Sequence, residues 1–273
     1  MTKTVLITGT SSGLGRAAAR LFQSKGWNVV ATMRNPAAEA ELTSLDRVLV
    51  TRLDVEDASS IATAIDAGIA RFGAIDVLVN NAGFGAFGPL EVTPIETIRR
   101  QFEVNVIGLL QTMQAILPHF RARRAGTIIN VSSTSGRMTL PFGSLYHGSK
   151  YAVEGLTEAL QYELSPLGIG VKLVEPGAIE TDFASRSISF NNEPKVAAYQ
   201  PLLDAAMATY GRLMAASSKP ELIAEQIFAA AQDEGRKLRF PAGADALRTI
   251  AAREAATDEE YFASIMTHFG LTA

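Results

Sequence analysis

Several residue types that carry chemistry in other proteins are scarce in this chain. Its 273 residues include no cysteine, one tryptophan and three histidines. Without cysteine there is no disulfide framework, no thiolate catalysis and no cysteine-based zinc site. The histidines, His119, His147 and His268, show no metal-ligand spacing and no accompanying carboxylate cluster. We therefore predict no catalytic metal.

The chain also lacks a surplus of basic charge and a long apolar run. Its net charge is −3 and its pI is about 5.7, which argues against nucleic acid or an anionic membrane as the main partner. The opening segment MTKTVLITG leads straight into a glycine turn, and no apolar stretch approaches the roughly 18 residues of a membrane span. We expect a cytoplasmic protein with no membrane insertion.

The composition that is present, 47% hydrophobic and 19% charged residues, is typical of a globular fold. Short β-branched runs cover residues 4–8, 28–32, 48–53, 75–81, 126–132, 170–175 and 237–241. Segments of helical period lie between them and include 13–25, 57–72, 96–123 and 149–165. This alternation predicts one α/β domain over residues 1–273, with a doubly wound parallel sheet of about seven strands. The irregular region 182–218 is typical of a lid over a substrate.

A glycine-rich turn follows the first predicted strand. The segment TGTSSGLG places Gly9, Gly13 and Gly15 directly before a helical stretch. Glycines at such a turn permit close backbone approach to a pyrophosphate, and the helix N-terminus offers free N–H groups. The spacing G-x-x-x-G-x-G differs from the common G-x-G-x-x-G. We interpret the turn as a nucleotide site, with a purely structural turn as the alternative.

The end of the second predicted strand bears on which nucleotide binds. Dinucleotide-binding folds usually have an acidic residue about 20 positions after the glycines to hold the ribose 2′-OH, whereas an arginine accommodates a 2′-phosphate. Met33 and Arg34 occupy this place, and Ser11 could donate to the same phosphate. The pattern favours NADP(H) over NAD. The alternative is that Arg34 is an ordinary surface arginine.

A tyrosine and a lysine stand one helical turn apart in SLYHGSKYAVEGL. Tyr146 comes four residues before Lys150, so both side chains can point the same way and an ammonium can sit beside a phenol. That arrangement could make tyrosine an effective acid. The pair alone is a weak signal, because such a spacing also arises by chance.

Further motifs occur in a fixed order along the chain. They are LDV at 53–55, NNAG at 80–83, Asn105 in VNVIG, INVSS at 129–133, YHGSK at 146–150 and EPGAIETDF at 175–183. With the glycine turn they resemble the landmarks of the short-chain dehydrogenase/reductase family over residues 3–183, which implies a Rossmann-like fold. VVATMRN and FPAGADA at 240–246 resemble the NADP-preferring group that includes 17β-hydroxysteroid and retinol dehydrogenase-like members.

The resemblance implies catalytic roles for four residues. Tyr146 resembles the acid/base, and Lys150 together with the positive nicotinamide ring would lower its pKa. Ser133 resembles the hydroxyl that orients the substrate oxygen, and Asn105 resembles a residue that adjusts the backbone and relays water near Lys150. Without the resemblance, Ser133 would be a strand-end hydroxyl that satisfies backbone groups.

The resemblance also implies a site for NADP(H). Asp54 is similar to the residue that accepts from the adenine amine, with Val55 beside the ring; a helix N-cap or a loop aspartate is the alternative for Asp54. Ile179 would contact the carboxamide through its backbone. The remaining cofactor residues implied are Ser12, Leu14, Asn81, Ala82, Gly83, Pro176, Gly177 and Thr181, with Tyr146 and Lys150.

The segments expected to border the nicotinamide are apolar. They carry Phe84, Phe87, Met138, Leu140, Phe142 and Leu145, and in the predicted lid Phe183, Phe190, Tyr199, Leu202, Leu203, Met207, Tyr210, Leu213 and Met214. About half of the lid residues can be ordinary helix core. The rest predict a pocket for a hydrophobic ketone, aldehyde or secondary alcohol, such as a steroid, a retinoid or an aryl ketone.

Three functions fit these observations, and an NADP(H)-dependent carbonyl reductase or alcohol dehydrogenase is favoured. An epimerase or dehydratase of the extended relatives would have a different glycine spacing and a larger C-terminal part. A catalytically silent, nucleotide-sensing homologue would not need all of Ser133, Tyr146, Lys150 and Asn105. The family commonly pairs subunits through helices at 96–123 and 149–165, which carry surplus apolar residues, so we expect a homodimer or homotetramer.

Overall fold

Parallel strands form the centre of the computed structural model, which describes residues 2–181 and 187–271. The strands are β1 (Thr4–Ile7), β2 (Asn28–Met33), β3 (Val48–Arg52), β4 (Val77–Asn80), β5 (Gly85–Phe87), β6 (Gly126–Val131), β7 (Ile169–Pro176), β8 (Ile188–Phe190) and β9 (Arg239–Ala242). Seven of them form one sheet in the order β3-β2-β1-β4-β6-β7-β9, and every pairing is parallel. The predicted seven-stranded, doubly wound, Rossmann-like sheet is confirmed.

Helices cover both faces of this sheet. They are α1 (Gly13–Ser24), α2 (Ala58–Phe72), α3 (Ile95–Phe102), α4 (Gly108–Arg123), α5 (Ser144–Leu164), α6 (Gln200–Met214), α7 (Pro220–Gln232), α8 (Ala244–Ala255) and α9 (Asp258–His268). A π-helical turn, Glu103–Ile107, joins α3 to α4. Across residues 2–181 and 187–271, no helix is long and apolar enough to cross a membrane, and no three histidine, aspartate or glutamate side chains cluster closely enough to hold a metal ion.

The alternation of side chains along each strand explains the two-sided core. Val5 and Ile7 point to one face, where they join the apolar sides of α1 and α7. Leu6, between them, points to the other face and joins α2, α4 and α5. Parallel strands bury both faces in this way because their crossover helices lie above and below the sheet. The last strand of the order, β9, is four residues long and contains Pro241.

Some predicted boundaries differ from the structure. The helix expected over 149–165 begins at Ser144, so Tyr146 and Lys150 both lie inside it. The region 182–218, predicted to be a lid, contains β8 and α6, and β8 pairs with β5 in a separate two-stranded sheet. Residues 182–186, including Phe183, lie outside the described residues. β5 and β8 were not predicted because each has only three residues.

Candidate active site

The predicted site residues lie around the carboxyl ends of the parallel strands, the edge at which open α/β sheets bind ligands. Residues 9–15 lie in the loop after β1 and the start of α1. The loops after β2, β3, β4 and β6 hold Arg34, Asp54 with Val55, residues 81–83 and Ser133, respectively, and residues 176–181 lie at the end of β7. Tyr146 and Lys150 come from α5, and Asn105 comes from the π turn.

The glycine turn can close only with glycine at its key positions. Gly9 and Gly13 have φ angles of +72° and +52°, in the left-handed region that favours glycine. A Cβ at Gly15 would lie 2.2 Å from the Gly9 carbonyl oxygen. Helix α1 begins at Gly13, and Ser12 forms no side-chain cap within the described chain. The first N–H groups of α1 are thus available to a phosphate, and the turn fits a dinucleotide.

Thr8 and Asn81 fasten the glycine turn to the loop after β4. The N–H groups of Asn81 and Ala82 donate to the Thr8 hydroxyl, each at 3.0 Å. Asn81 Nδ2 donates to the carbonyls of Thr8 and Gly9 at 2.9 and 3.1 Å. Asn81 therefore shapes the turn itself, in addition to its predicted place among the cofactor-binding residues.

Met33 and Arg34 take opposite orientations. Met33 is buried in the core beside α1, with 3% of its surface exposed, so it does not face a nucleotide. Arg34 is exposed and forms no hydrogen bond or ion pair with residues 2–181 or 187–271. The Arg34 guanidinium is thus free to pair with a phosphate, as the sequence analysis expects.

The acidic side chain of Glu39, five residues after Arg34, is already paired with an arginine. The carboxylate of Glu39, which is buried, accepts a hydrogen bond from the Arg16 guanidinium. Arg16 also donates to the Ser11 carbonyl at 2.8 Å and to Glu41 at 3.0 Å. Because Arg16 compensates these carboxylates, they oppose a 2′-phosphate less than free acids would.

Asp54 and Val55 form the turn after β3. Asp54 Oδ1 accepts from the Glu56 N–H at 3.2 Å. The N-cap of α2 is Asp57, whose side chain accepts from two N–H groups of the first helical turn. The alternative that Asp54 caps this helix is therefore wrong. Val55 is buried against α4, where a Cβ at Gly108 would lie 2.7 Å from it.

The proline-glycine segment at the end of β7 is held from two sides. The Ser133 hydroxyl donates to the Pro176 carbonyl at 3.3 Å. The Ala178 N–H donates to Asp245 Oδ2 at 2.8 Å. A Cβ at Gly177 would lie 2.0 Å from that same oxygen, so this close approach requires glycine. Asp245 is therefore a further residue that shapes the predicted nicotinamide segment.

The end of this segment closes toward the glycine turn. Ile179 forms a parallel bridge with Ser218, flanked by two backbone hydrogen bonds of 2.8 and 2.9 Å. The Thr181 methyl lies 3.3 Å from the position of a Cβ at Gly13. The loops after β1 and β7, which are distant in sequence, thus meet at the place where the sequence analysis puts a nucleotide.

Ser133, Tyr146 and Lys150 meet at the end of β6. The Tyr146 side chain is hydrogen bonded to Ser133. One helical turn further on, Lys150 Nζ donates to the Val131 carbonyl at 2.9 Å and lies 5.8 Å from the centre of the Tyr146 ring. The structure thus places the Tyr146 phenol against the Ser133 hydroxyl, with the Lys150 ammonium near the Tyr146 ring.

The electrostatics of this group differ from the expectation. Burial raises the pKa of Tyr146 to about 12, and the hydrogen bond with Ser133 opposes that rise. Burial lowers the pKa of Lys150 to about 8, against the charge of Glu154, which raises it. Burial thus opposes the lowering of the Tyr146 pKa that we expect from Lys150 and a positive nicotinamide ring together. The contribution expected from a positive nicotinamide ring stays a prediction.

Asn105 holds the backbone that follows β4. Its Nδ2 donates to the Phe84 carbonyl at 2.8 Å, and the Phe84 N–H donates to its Oδ1 at 3.0 Å. Gln101, four residues earlier, donates to the same carbonyl at 3.0 Å. Asn105 also donates to the Ser149 hydroxyl on α5 at 3.2 Å. The predicted backbone role of Asn105 is present, whereas its role in relaying water stays a prediction.

Two aromatic side chains from distant elements extend the site beyond Tyr146. The Phe87 ring, from β5, lies 5.4 Å from the Tyr146 ring and 6.4 Å from the Tyr210 ring of α6. These aromatic rings make an apolar wall beside the phenol.

Three side chains fix the segment 137–142 that adjoins this wall. The hydroxyls of Tyr210 and Tyr261 donate to two of its carbonyls at 2.8 and 2.9 Å. His147 Nε2 accepts an N–H of the segment at 3.0 Å, and His147 Nδ1 lies 3.0 Å from the Ser135 carbonyl. Accepting at Nε2 and donating at Nδ1 requires a neutral imidazole. Burial lowers the pKa of His147 and so favours that form.

The other predicted pocket residues divide by exposure. Phe190, Leu202, Met207, Leu213 and Met214 are exposed, Met138 and Leu203 are buried, and Phe84, Leu140, Phe142, Leu145 and Tyr199 are intermediate. Leu203 is thus helix core, as the sequence analysis allows for part of the lid. Of the predicted pocket residues, Phe87 has its ring beside the Tyr146 phenol, and Tyr210 has its ring beside that of Phe87.

Sequence reasoning missed Thr8, Gln101, His147 and Asp245 as residues that shape the site. Gln101 had a usable signal, because it precedes Asn105 by four residues on one helix. His147 and Asp245 had none, since their partners are backbone groups brought close only by the fold.

Comparison with known proteins agrees with this geometry. The chain matches the family model of the short chain dehydrogenases over residues 3–192. An uncharacterized oxidoreductase of Schizosaccharomyces pombe is 40% identical over 244 residues, 88% of this chain and 100% of the relative. The chain belongs to the short-chain dehydrogenase family, whose members are oxidoreductases that use a nicotinamide cofactor.

Two relatives with named substrates match about two thirds of the chain. The 3-ketodihydrosphingosine reductase of Bacteroides thetaiotaomicron is 39% identical over 68% of this chain and 67% of its own length. The 17-beta-hydroxysteroid dehydrogenase type 1 of Mus musculus is 38% identical over 67% of this chain and 56% of its own length.

Solved structures match nearly the whole chain. A short-chain dehydrogenase from Streptomyces avermitilis has a TM-score of 0.84 and 33% identity, with 98% of this chain and 96% of that chain covered. One from Burkholderia cenocepacia in complex with NADP has a TM-score of 0.75 and 26% identity, with 97% and 98% covered. One from Burkholderia phymatum in complex with NAD has a TM-score of 0.79 and 26% identity, with 93% of each covered. Similar structures thus bind either nucleotide.

Proposed function

We propose that this protein interconverts a ketone or aldehyde and an alcohol on a hydrophobic small molecule, with NADP(H) as cofactor. The observation that carries this proposal is the hydrogen bond between Ser133 and Tyr146 at the carboxyl edge of the sheet, with the Lys150 ammonium 5.8 Å from the centre of the Tyr146 ring. A dehydrogenase needs a proton donor of this kind beside a hydroxyl that can orient the substrate oxygen.

Each of the three side chains has a distinct task in carbonyl reduction. Ser133 and Tyr146 hydrogen-bond the carbonyl oxygen, and Tyr146 donates the proton that this oxygen takes up. Lys150, as an ammonium, stabilises the phenolate that remains. NADPH, held by the glycine turn and the residues predicted to bind it, would supply the hydride for this reduction. In the oxidative direction Tyr146 accepts the proton of the alcohol.

The choice of NADP(H) rests on the charges near the end of β2. Arg34 is exposed and uncommitted within the described residues, and Arg16 binds the carboxylate of Glu39. A free guanidinium recognises a phosphate dianion well. Because similar structures bind NADP or NAD, side chains of this chain must decide between them.

The hydrophobic substrate class rests on the apolar wall beside the phenol. The Phe87 ring lies beside Tyr146 and the Tyr210 ring lies beside Phe87, and such aromatic surface favours a bulky apolar substrate over a sugar. The names of two relatives, a ketodihydrosphingosine reductase and a hydroxysteroid dehydrogenase, are consistent with a lipid-like, steroid, retinoid or aryl ketone. The segment 182–218 would act as the lid of this pocket.

Steady-state kinetics with a panel of carbonyl compounds test the proposal. We expect a higher kcat/KM with NADPH than with NADH, and with a steroid or aryl ketone than with a keto-sugar of similar size. An advantage for the sugar would reject the apolar pocket but leave the oxidoreductase assignment standing. Absence of reduction of any carbonyl compound by purified protein that binds NADPH would favour the catalytically silent alternative.

We also propose that the protein assembles through α4 and α5 as a homodimer or homotetramer. Ile107, just before α4, and Tyr151 and Tyr162 on α5 have 41%, 43% and 79% of their surface exposed, and exposed apolar groups on paired helices are typical of subunit interfaces. Light scattering on the purified protein tests this, with Tyr151→Glu expected to give monomers. The cytoplasmic location stays a prediction.

A further inference from the structure

Helix α5 carries a third polar side chain in line with Tyr146 and Lys150. Glu154 follows Lys150 by four residues, as Lys150 follows Tyr146, so the three lie on successive turns of one helix face. Glu154 is buried, with 4% of its surface exposed. A Cβ at Gly136 would lie 2.8 Å from Glu154 Cγ and 2.8 Å from Ser132 Oγ. Along α5, Tyr146 thus lies beside Ser133 and Glu154 lies beside Ser132, the two residues that directly follow β6.

Glu154 shares its surroundings with a second buried carboxylate, Glu175 of β7. Glu175 is fully enclosed. Arg239 Nε lies 3.1 Å from Glu154 Oε2 and 3.5 Å from Glu175 Oε1, and Arg137 lies 3.0 Å from Glu175 Oε1. One oxygen of each glutamate is buried without a hydrogen-bond partner among the described residues.

Two carboxylates that share one arginine in a buried site do not both ionise readily near neutral pH. Burial and the charge of Glu154 raise the pKa of Glu175 to about 7. Burial also raises the pKa of Glu154, against the Ser132 hydroxyl and Arg239, which lower it. Glu175 has no exposed surface and Glu154 keeps 4% of its surface exposed, which favours the proton on Glu175 and the charge on Glu154.

Glu175 also lines a cleft on the side of the pair that carries Arg239. This cleft of about 460 Å³ is lined by Arg137, Glu175, Arg239, Pro241, Leu247, Ile250, Ala251 and Glu254. The charged and titratable groups around Glu154 are Lys150, Tyr151 and Glu158 of α5, Arg137, Glu175, Arg239 and Glu254. Among them, the ammonium of Lys150 is the cation that the proposed reaction uses.

We propose that Glu154 is a positioning residue for catalysis: it carries the charge of a buried carboxylate pair, Glu175 carries the proton of that pair, and this charge keeps Lys150 an ammonium ion. The inference rests on the proposed function only in assigning Lys150 a catalytic task. The charge relation between Glu154 and Lys150 stands whether or not the substrate is a ketone.

The pH dependence of Lys150 acylation tests this relation without any substrate. A small amine-reactive reagent such as acetic anhydride modifies the free amine, and peptide mass spectrometry can report the rate at Lys150 between about pH 6 and pH 10. In Glu154→Gln the Lys150 ammonium loses the nearby negative charge. We therefore expect Lys150 to react several-fold faster at pH 7, and the midpoint pH of its acylation curve to fall. Glu175→Gln imitates the protonated acid and should keep the wild-type midpoint.

Glu158→Gln is the matched control. Glu158 is on the same helix and also pairs with Arg239, but its side chain is 53% exposed. The Lys150 midpoint should be unchanged in this variant. An unchanged midpoint in folded Glu154→Gln would overturn the proposal, and a shift in Glu175→Gln as large as in Glu154→Gln would overturn the assignment of the proton.

A conservative variant and a kinetic readout complete the test. Glu154→Asp keeps the charge at a greater distance and should give a midpoint between those of wild type and Glu154→Gln; a wild-type midpoint in Glu154→Asp would also count against the proposal, even if Glu154→Gln fails to fold. If the proposed function holds, the alkaline decline of kcat/KM should begin at a lower pH in Glu154→Gln than in wild type, because Lys150 loses its proton at a lower pH in the variant. Failure of ketone reduction alone leaves the acylation result intact.

Discussion

The two walls of the site are built from different materials. The nucleotide wall, formed by residues 8–15 and 81–83, is backbone held at close range by glycines. The substrate wall, formed by residues 84–88, segment 137–142 and helices α6 and α9, is made of side chains that meet from distant parts of the chain. A backbone wall tolerates almost no added atom, whereas a side-chain wall can change shape by substitution. The nucleotide wall thus suits a ligand that stays the same, the cofactor, and the substrate wall suits a ligand that can differ, the substrate.

The largest effect should come from a change at Tyr146, which lies beside the substrate wall and outside the nucleotide wall. Tyr146→Phe removes the transferable proton and little volume, so we expect kcat to fall by about 10² to 10⁴. NADPH affinity, measured by fluorescence titration, should be unchanged. Tyr162→Phe, on the same helix and 79% exposed, is the control and should be fully active. More than about a tenth of the wild-type rate in Tyr146→Phe would contradict the assignment.

A single methyl group in the nucleotide wall should have the next largest effect. In Gly15→Ala the new Cβ would stand 2.2 Å from the Gly9 carbonyl oxygen, and we expect a loss of about 1–3 kcal/mol in unfolding free energy together with weaker NADPH binding. Gly155→Ala on α5 is the matched control, since no atom lies within 4 Å of its Cβ position. It should stabilise the protein by up to about 1 kcal/mol. Equal denaturation curves for the two variants would show that the turn can relax.

A smaller effect is expected from the charge beside the nucleotide wall. Arg34→Ala should lower kcat/KM with NADPH by about tenfold, or about 1.4 kcal/mol, and leave the value with NADH nearly unchanged. This variant is a cleaner probe than Met33→Asp, because Met33 lies in the core and aspartate there would destabilise the fold. Arg71→Ala, another exposed arginine, is the control. An equal loss with both cofactors would reject a contact with the 2′-phosphate.

The smallest predicted effect concerns the fastening of the substrate wall. Burial holds the pKa of His147 below its usual 6.5, so the unfolded chain takes up the proton first as the pH falls. The contribution of His147 to the unfolding free energy is thus complete above about pH 6.5, and it is lost as the pH falls below that value. His147→Gln cannot take up this proton, and its Tm should decline less between about pH 7.5 and pH 5.5, with roughly 1 kcal/mol corresponding to about 2–4 °C. Parallel Tm curves for wild type and variant would contradict the role of a neutral imidazole.

The difference between the walls also explains what the sequence could predict. The seven main strands were predictable because β-branched runs such as residues 4–8 and 28–32 are local signals of buried strands. The glycine turn and the pair Tyr146 and Lys150 were predictable for the same reason, since fixed spacing along the chain determines their geometry.

The rest depends on contacts between distant segments. Strands β5 and β8 are three residues each and pair across about a hundred residues, so neither has a local pattern. Glu154, Glu175 and Arg239 read as ordinary charges in the sequence, and only the fold buries them together. The rise in the Tyr146 pKa was missed because burial, unlike spacing, cannot be counted along a chain.

The short last strand of the sheet limits how copies of this protein can join. An unpaired strand edge invites a strand of another molecule to add to it, which is the route to runaway aggregation. In β9 the second-to-last residue is Pro241, which has no N–H to offer, and the strand is only four residues long. A sheet that ends in this way is a poor template for continuous strand addition. Growth from this edge is therefore disfavoured, which leaves helix packing as the more favourable means of orderly association.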